Sequence, residues 1–240
     1  MHPQTSARGR RAFAAVGFAA AAIQLASGVM GDLARSDHGH LVADSALIVR
    51  LGTDHVALFR WSSLLDLFGF YLLMVPLAVY LRSRFRATHP MTADVGLVAA
   101  VIFGGVGATG AAIWVSATPL ISEYAHAAPA DRPYLAAIFG AMIHAGAALW
   151  HFVEGPAGAV WFASVAISAR LRWRGFALYS AILAVAIALG SVGTMVAPDA
   201  TSSAPTTLIF LPIVVWPVWL AIRILSTGED FDDEGAAQAS

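Results

Sequence analysis

Asp66 is the residue best placed to do chemistry. It stands inside the apolar run Trp61-Ser-Ser-Leu-Leu-Asp-Leu-Phe-Gly-Phe-Tyr71, about 8 Å along an α-helix from Trp61. A carboxyl at that depth is expensive and by default marks a functional group, such as a proton donor or relay, or a paired structural charge. Ser62 and Ser63, four and three residues earlier, are within hydrogen-bonding reach on a helix. Arg60 is six residues back and about 120° round the helix, so a partner is expected on another helix.

A second group follows at His144, His151 and Glu154. Seven-residue spacing sets the two imidazoles on one helix face about 10 Å apart, and Glu154 neighbours His151 at three residues. The pattern suits general acid–base work, with Asp66 or Glu154 as acid and His151 as base or orienter. It does not suit one metal held by both histidines, because Zn–N bonds are about 2 Å long. Without a second in-span histidine on a facing helix, haem ligation needs a loop residue as well. No metal and no cofactor are therefore expected. Trp61, Tyr71, Trp114 and Trp150, with Arg60, are the candidates for binding a lipophilic substrate. Their aromatic faces would shield a cation, although Trp and Tyr also collect at membrane interfaces without binding anything.

The elements that position these groups follow from composition. Of 240 residues, 58% are hydrophobic and 12% charged, against about 25% charged in a soluble domain. Mean hydropathy is +0.71. The net charge of -1 excludes a basic nucleic-acid binder. Cysteine is absent and every cationic side chain is Arg, which removes thiolate sites, Schiff-base lysines and P-loops.

Apolar runs at Ala12–Val29, Trp61–Leu81, Val95–Val115, Phe176–Ala197 and Thr207–Leu225 each have about the length a bilayer needs. The run Tyr134–Ala169 is too long for one simple span and, interrupted by Gly155-Pro156, too short for two. Arginine decides. Arg8, Arg10 and Arg11, then Arg82, Arg84 and Arg86, then Arg170, Arg172 and Arg174 share the cytoplasmic side only if that run crosses once, from about Leu149 to Ala169.

The sequence thus predicts an all-α polytopic transmembrane helix bundle of six spans, both termini cytoplasmic. One domain covers residues 1–228, and 229–240 form an acidic disordered tail. Histidines and carboxylates, including Asp32, Asp37, His38, His40, Asp44, Asp54, His55 and Glu123, gather toward the outer side. No internal repeat is apparent. Gly104, Gly105, Gly107 and Gly110 are expected to let helices pack closely.

The segment ending in Asp44–Arg50-Leu51, Arg60, the Leu65-Asp66-Leu67 core and Pro76-Leu-Ala-Val-Tyr80-Leu resembles a bacterial six-helix integral-membrane family of unknown function. That likeness covers about the first 85 residues and implies topology without a reaction. More distantly the chain is similar to small integral-membrane terpene cyclases, which implies protonation of an isoprenoid by an intramembrane acid; those have seven helices.

Three functional classes follow. The first is a cell-membrane enzyme doing acid–base chemistry on a lipophilic substrate near the outer leaflet, favoured because the titratable groups cluster at one level. The second is a proton-linked permease with Asp66 and His151 as relay, and the third a non-catalytic membrane subunit or sensor. The lipid bilayer and a lipophilic small molecule are the expected partners, nucleic acid is not, and a homo-oligomer is left open.

Overall fold

In the computed structural model, residues 7–35, 52–196 and 206–226 are described, and all of their regular structure is helical. The chain runs through α1 (Ala7–Arg35), α2 (Gly52–Leu65), a π-helical stretch (Asp66–Leu72), α3 (Leu73–Phe85) and α4 (Pro90–His126). It continues through α5 (Arg132–Leu149), a second π-helical stretch (Trp150–Glu154), α6 (Gly155–Ala169), α7 (Arg174–Val196) and α8 (Thr206–Ser226). Five continuous rods are long and apolar enough to cross a membrane: Ala7–Ala34, His55–Phe85, Pro90–His126, Arg132–Ala169 and Arg174–Val196. In α8 the apolar part Leu211–Ser226 is shorter. Tyr134–Ala169 therefore belongs to a single rod, and Gly155-Pro156 does not end it. Proline is tolerated there because Pro156 opens α6 directly after a π turn.

Two tight turns close the end at which the arginines sit. After α3 the amides of Thr88 and His89 both donate to the Phe85 carbonyl, and after α6 those of Arg172 and Trp173 both donate to that of Ala169. Phe85 meets Trp173 edge-on, centroids 5.3 Å apart, so the two turns are packed together. Arg82 Nε donates to Asp94 Oδ1 at 2.6 Å, pinning the start of α4 beside them. The first helix joins the same end, Phe13 lying 5.1 Å from Tyr80.

From that fixed end α4 runs 37 residues, about 55 Å and so about 25 Å more than a bilayer core. Its far end and the start of α5 continue as an antiparallel pair, longer than the expected run Val95–Val115. A separate small core of Ala34, Phe59, Ala117, Ile121, Phe139 and Ile143 holds that far region. The main core lies nearer the arginines and is dominated by rings: Phe103, Trp161, Phe162, Phe176 and Trp216 pack edge to face, tilted or, for Trp161 on Phe162, stacked. Lipid tails match leucine in polarity, so contact geometry must hold such a bundle. Each ring pair contributes about 0.5–1.5 kcal/mol beyond its buried area. Outward, Leu178, Ile182, Val185, Leu189 and Val192 form an exposed apolar stripe down α7, a surface matched to lipid. The apolar rods and such stripes make this a membrane-embedded helical bundle.

Candidate functional site

Both π-helical stretches fall at carboxyl groups. In an α-helix Tyr71 would stand about 140° round from Asp66. The widened turn of Asp66–Leu72 stacks residues five apart more nearly above one another, so both side chains point into the bundle. In the second stretch the Gly155 amide donates to the Trp150 carbonyl, a five-residue closure that turns Glu154 inward. Glu154 is 9% exposed, and the Tyr71 hydroxyl donates to its Oε2 at 3.1 Å.

Asp66 is met from α1 by Gln24, whose side chain engages its carboxyl. Gln24 is only 3% exposed. Even so, Oε1 of Gln24 and Oδ1 of Asp66 are buried with no hydrogen-bond donor. Asp66 lies within electrostatic reach of both Tyr71 and Glu154. Neither carboxyl has an ion-pair partner among the described residues. Four groups from three rods thus meet at one level: Gln24, Asp66, Tyr71 and Glu154. Two acids within electrostatic reach of one another in an apolar interior repel when both are charged.

Helix α4 supplies the floor. The Tyr71 ring lies over Gly107, where a Cβ would run into its Cδ1 and Cε1. The Trp150 indole covers Gly110 and its Nε1 donates to the Gly107 carbonyl at 3.1 Å. At Gly104 a Cβ would stand 3.1 Å from the Tyr71 carbonyl oxygen. The close helix approach expected of these glycines holds at Gly104 and at Gly110, whose carbonyl oxygen would stand 3.2 Å from a Cβ on Gly146, whereas Gly107 is a slot for a ring and Gly105 faces open space. Gly69 does similar work for α1, because a side chain there would strike Ile23 next to Gln24.

The remaining candidates are dispersed. His151 is exposed on the bundle surface, and so is His144, whose Nδ1 lies 2.7 Å from the Gly140 carbonyl of its own helix. Neither imidazole joins the carboxyls, which corrects the expected His151–Glu154 pairing: the π turn between them directs Glu154 inward and leaves His151 outside. Ser62 and Ser63 do not bond Asp66 either. Ser62 and Ser27 exchange hydroxyl-to-carbonyl bonds of 2.9 Å between α1 and α2, and Ser63 donates to the Phe59 carbonyl.

Arg60 and Trp61 lie apart from Asp66, in a cleft of about 460 Å³ with Val56, Ala57, Leu64 and Ser122. Trp61 is 56% exposed. Trp114 stacks between Phe59 and Trp150, at 5.5 and 4.8 Å, and links the far core to the carboxyl level. Among the described residues no three His, Asp or Glu side chains converge. Asp37, His38, His40, Asp44 and the tail 229–240 lie outside the described residues.

Gln24 carries no signal in sequence, being one amide in a long apolar run. The pairing of the carboxyls does carry one. Asp66 and Glu154 each stand sixteen residues before the first arginine of Arg-x-Arg-aromatic-Arg, Arg82-Ser-Arg-Phe-Arg86 and Arg170-Leu-Arg-Trp-Arg174. Equal spacing sets both acids about 24 Å from the arginines, and the aromatics of the two motifs are the contacting Phe85 and Trp173. A short internal correspondence therefore exists. No known family, curated protein or solved structure matches this chain.

Proposed function

We propose that this is a six-span protein of the cell membrane, with both termini on the arginine side, that works as a proton-linked permease for a small, lipophilic molecule. The observation that carries the reading is the carboxyl pair: Asp66 and Glu154, on different rods, at one level in the bundle, with Tyr71 bonded to one of them and with no ion-pair partner among the described residues. Such a pair takes up and gives back positive charge as its surroundings change, which is the elementary act of coupled transport. The topology rests on the clustering of Arg82–Arg86, Arg170–Arg174 and the start of α1 at one end, and counts α8 as the sixth span.

A membrane enzyme acting on a lipophilic, isoprenoid-like substrate is the second reading, and the open cleft beside Arg60 and Trp61 favours it. Its general acid would again be Asp66 or Glu154, but the expected base, His151, is on the outside.

Infrared difference spectroscopy of the purified protein between acid and neutral pH tests the exchange directly. A carboxyl band that is lost in Asp66→Asn or Glu154→Gln is expected. A spectrum unchanged in both variants refutes the permease. Incubation with membrane lipid extract, followed by mass spectrometry, tests the enzyme: a product made by the wild type and lost in Asp66→Asn would replace the permease reading.

A further inference from the structure

We infer that the carboxyl pair, together with Gln24, forms a binding site for a dehydrated monovalent cation of the sodium class. This rests on the reading of the pair as an exchange site and names a second ion for it. The decisive feature is the pair of oxygens left without donors. Oε1 of Gln24 and Oδ1 of Asp66 are both buried, on side chains that engage one another. The hydrogen bond between the two side chains leaves these two acceptors, one on each group, without a donor. A cation held by this pair of side chains would supply the positive charge that the unpartnered oxygens lack.

The donor chemistry agrees. Gln24, Asp66, Tyr71 and Glu154 offer oxygen donors: an amide carbonyl, two carboxyls and a phenol. Hard cations select such sets, while nitrogen and sulfur ligands select transition metals. The nearest imidazole candidate, His151, is outside. Calcium uses six to eight oxygens and magnesium retains several waters, whereas this enclosed set of four groups suits a smaller demand. Charge agrees as well, since a single positive ion relieves the repulsion between the two carboxylates and still leaves a net negative site from which it can be displaced by a proton. The site is held on three sides by fixed contacts. Gly69 seats α1 against the π stretch, Gly107 seats Tyr71, and the Tyr71 hydroxyl orients Glu154.

The test uses the full chain in nanodiscs, melted in sodium chloride or in choline chloride at equal ionic strength and followed by tryptophan fluorescence. A saturable, sodium-specific rise in Tm is expected for the wild type and for His151→Ala, because ligand bound only to the folded state raises its stability. Gln24→Leu removes one oxygen donor and should weaken the apparent sodium affinity about tenfold or more, the loss of one ligand contact. Glu154→Gln keeps an oxygen, removes a charge and should do likewise, and the choline melts show that each variant is folded. Identical wild-type melts in the two salts overturn the inference, as does an undiminished sodium response in both variants. If the infrared carboxyl exchange persists while sodium has no effect, the cation site fails and the proton-linked reading survives. A sodium response without carboxyl protonation supports the cation site and refutes the proton.

Discussion

Replacing Gly107 by alanine should act on Glu154 through the Tyr71 ring. A Cβ at position 107 would collide with Cδ1 and Cε1 of that ring. The ring has little room to retreat, because Phe70 packs against it at 4.9 Å and Phe103 at 5.8 Å, and its hydroxyl is committed to Glu154. Inserting a methyl group into a packed interior costs about 1–3 kcal/mol. Two positions earlier, a Cβ on Gly105 would meet nothing within 4 Å, so Gly105→Ala should recover about 0.5–1 kcal/mol of helix propensity. The gain in helix propensity is common to both, so the two substitutions, chemically identical and half a turn apart, should differ by the overpacking cost of about 1–3 kcal/mol. At about 2–4 °C per kcal/mol for a chain of this size, tryptophan-monitored melting in detergent resolves that gap. The cause is checked by a double-mutant cycle: with Tyr71→Ala in place the ring is gone, and Gly107→Ala should cost nothing further. Equal melting of the two glycine variants, or a Gly107→Ala penalty that survives in the Tyr71→Ala background, would refute the ring-slot reasoning.

Three further outcomes are expected. Tyr71→Phe removes the donor to Glu154 Oε2 and should destabilise the protein by about 0.5–3 kcal/mol, depending on the charge Glu154 carries, while moving the infrared band of that carboxyl; an unmoved band would dissociate the two groups. Replacing both His144 and His151 by alanine should leave the sodium response and the carboxyl spectrum unchanged, and loss of either would return the histidines to the site. Ser27→Ala and Ser62→Ala each remove one interhelical bond between α1 and α2, worth about 0.6 kcal/mol each in a membrane bundle. Unfolding in a denaturing detergent titration should show small, roughly additive losses.

The rods are legible in the sequence because a bilayer-length apolar run has few alternatives, and Tyr134–Ala169 lies within one continuous rod, Arg132–Ala169. Asp66 and Glu154 are legible for the same reason, as charges where charges are costly. Their partners are not. Helical-wheel spacing puts Ser62 and Ser63 beside Asp66 and His151 beside Glu154, and it assumes 3.6 residues per turn throughout. The two π stretches break that assumption at the very positions that matter. They bring Tyr71 inward and leave His151 outside. Gln24 is hidden because one amide among apolar residues has no periodicity, and the roles of Gly107 and Gly110 depend on rings from other rods. The equal sixteen-residue spacing from each acid to its arginine motif is visible in the sequence itself, but its meaning emerges only once Phe85 and Trp173 are seen in contact.

The contact between Phe85 and Trp173 gives the molecule a fulcrum. Those rings join the rods bearing Asp66 and Glu154 at the end remote from the acids, so a change in angle between the rods swings the acids on arms of roughly 24 Å. A tilt of about 5° then displaces one acid relative to the other by about 2 Å, from that arm length. The bond from Tyr71 to Glu154 is 3.1 Å long and does not survive that excursion. Leverage of this kind lets a movement too small to unseat either rod from the bilayer open or close the meeting of the two carboxyls.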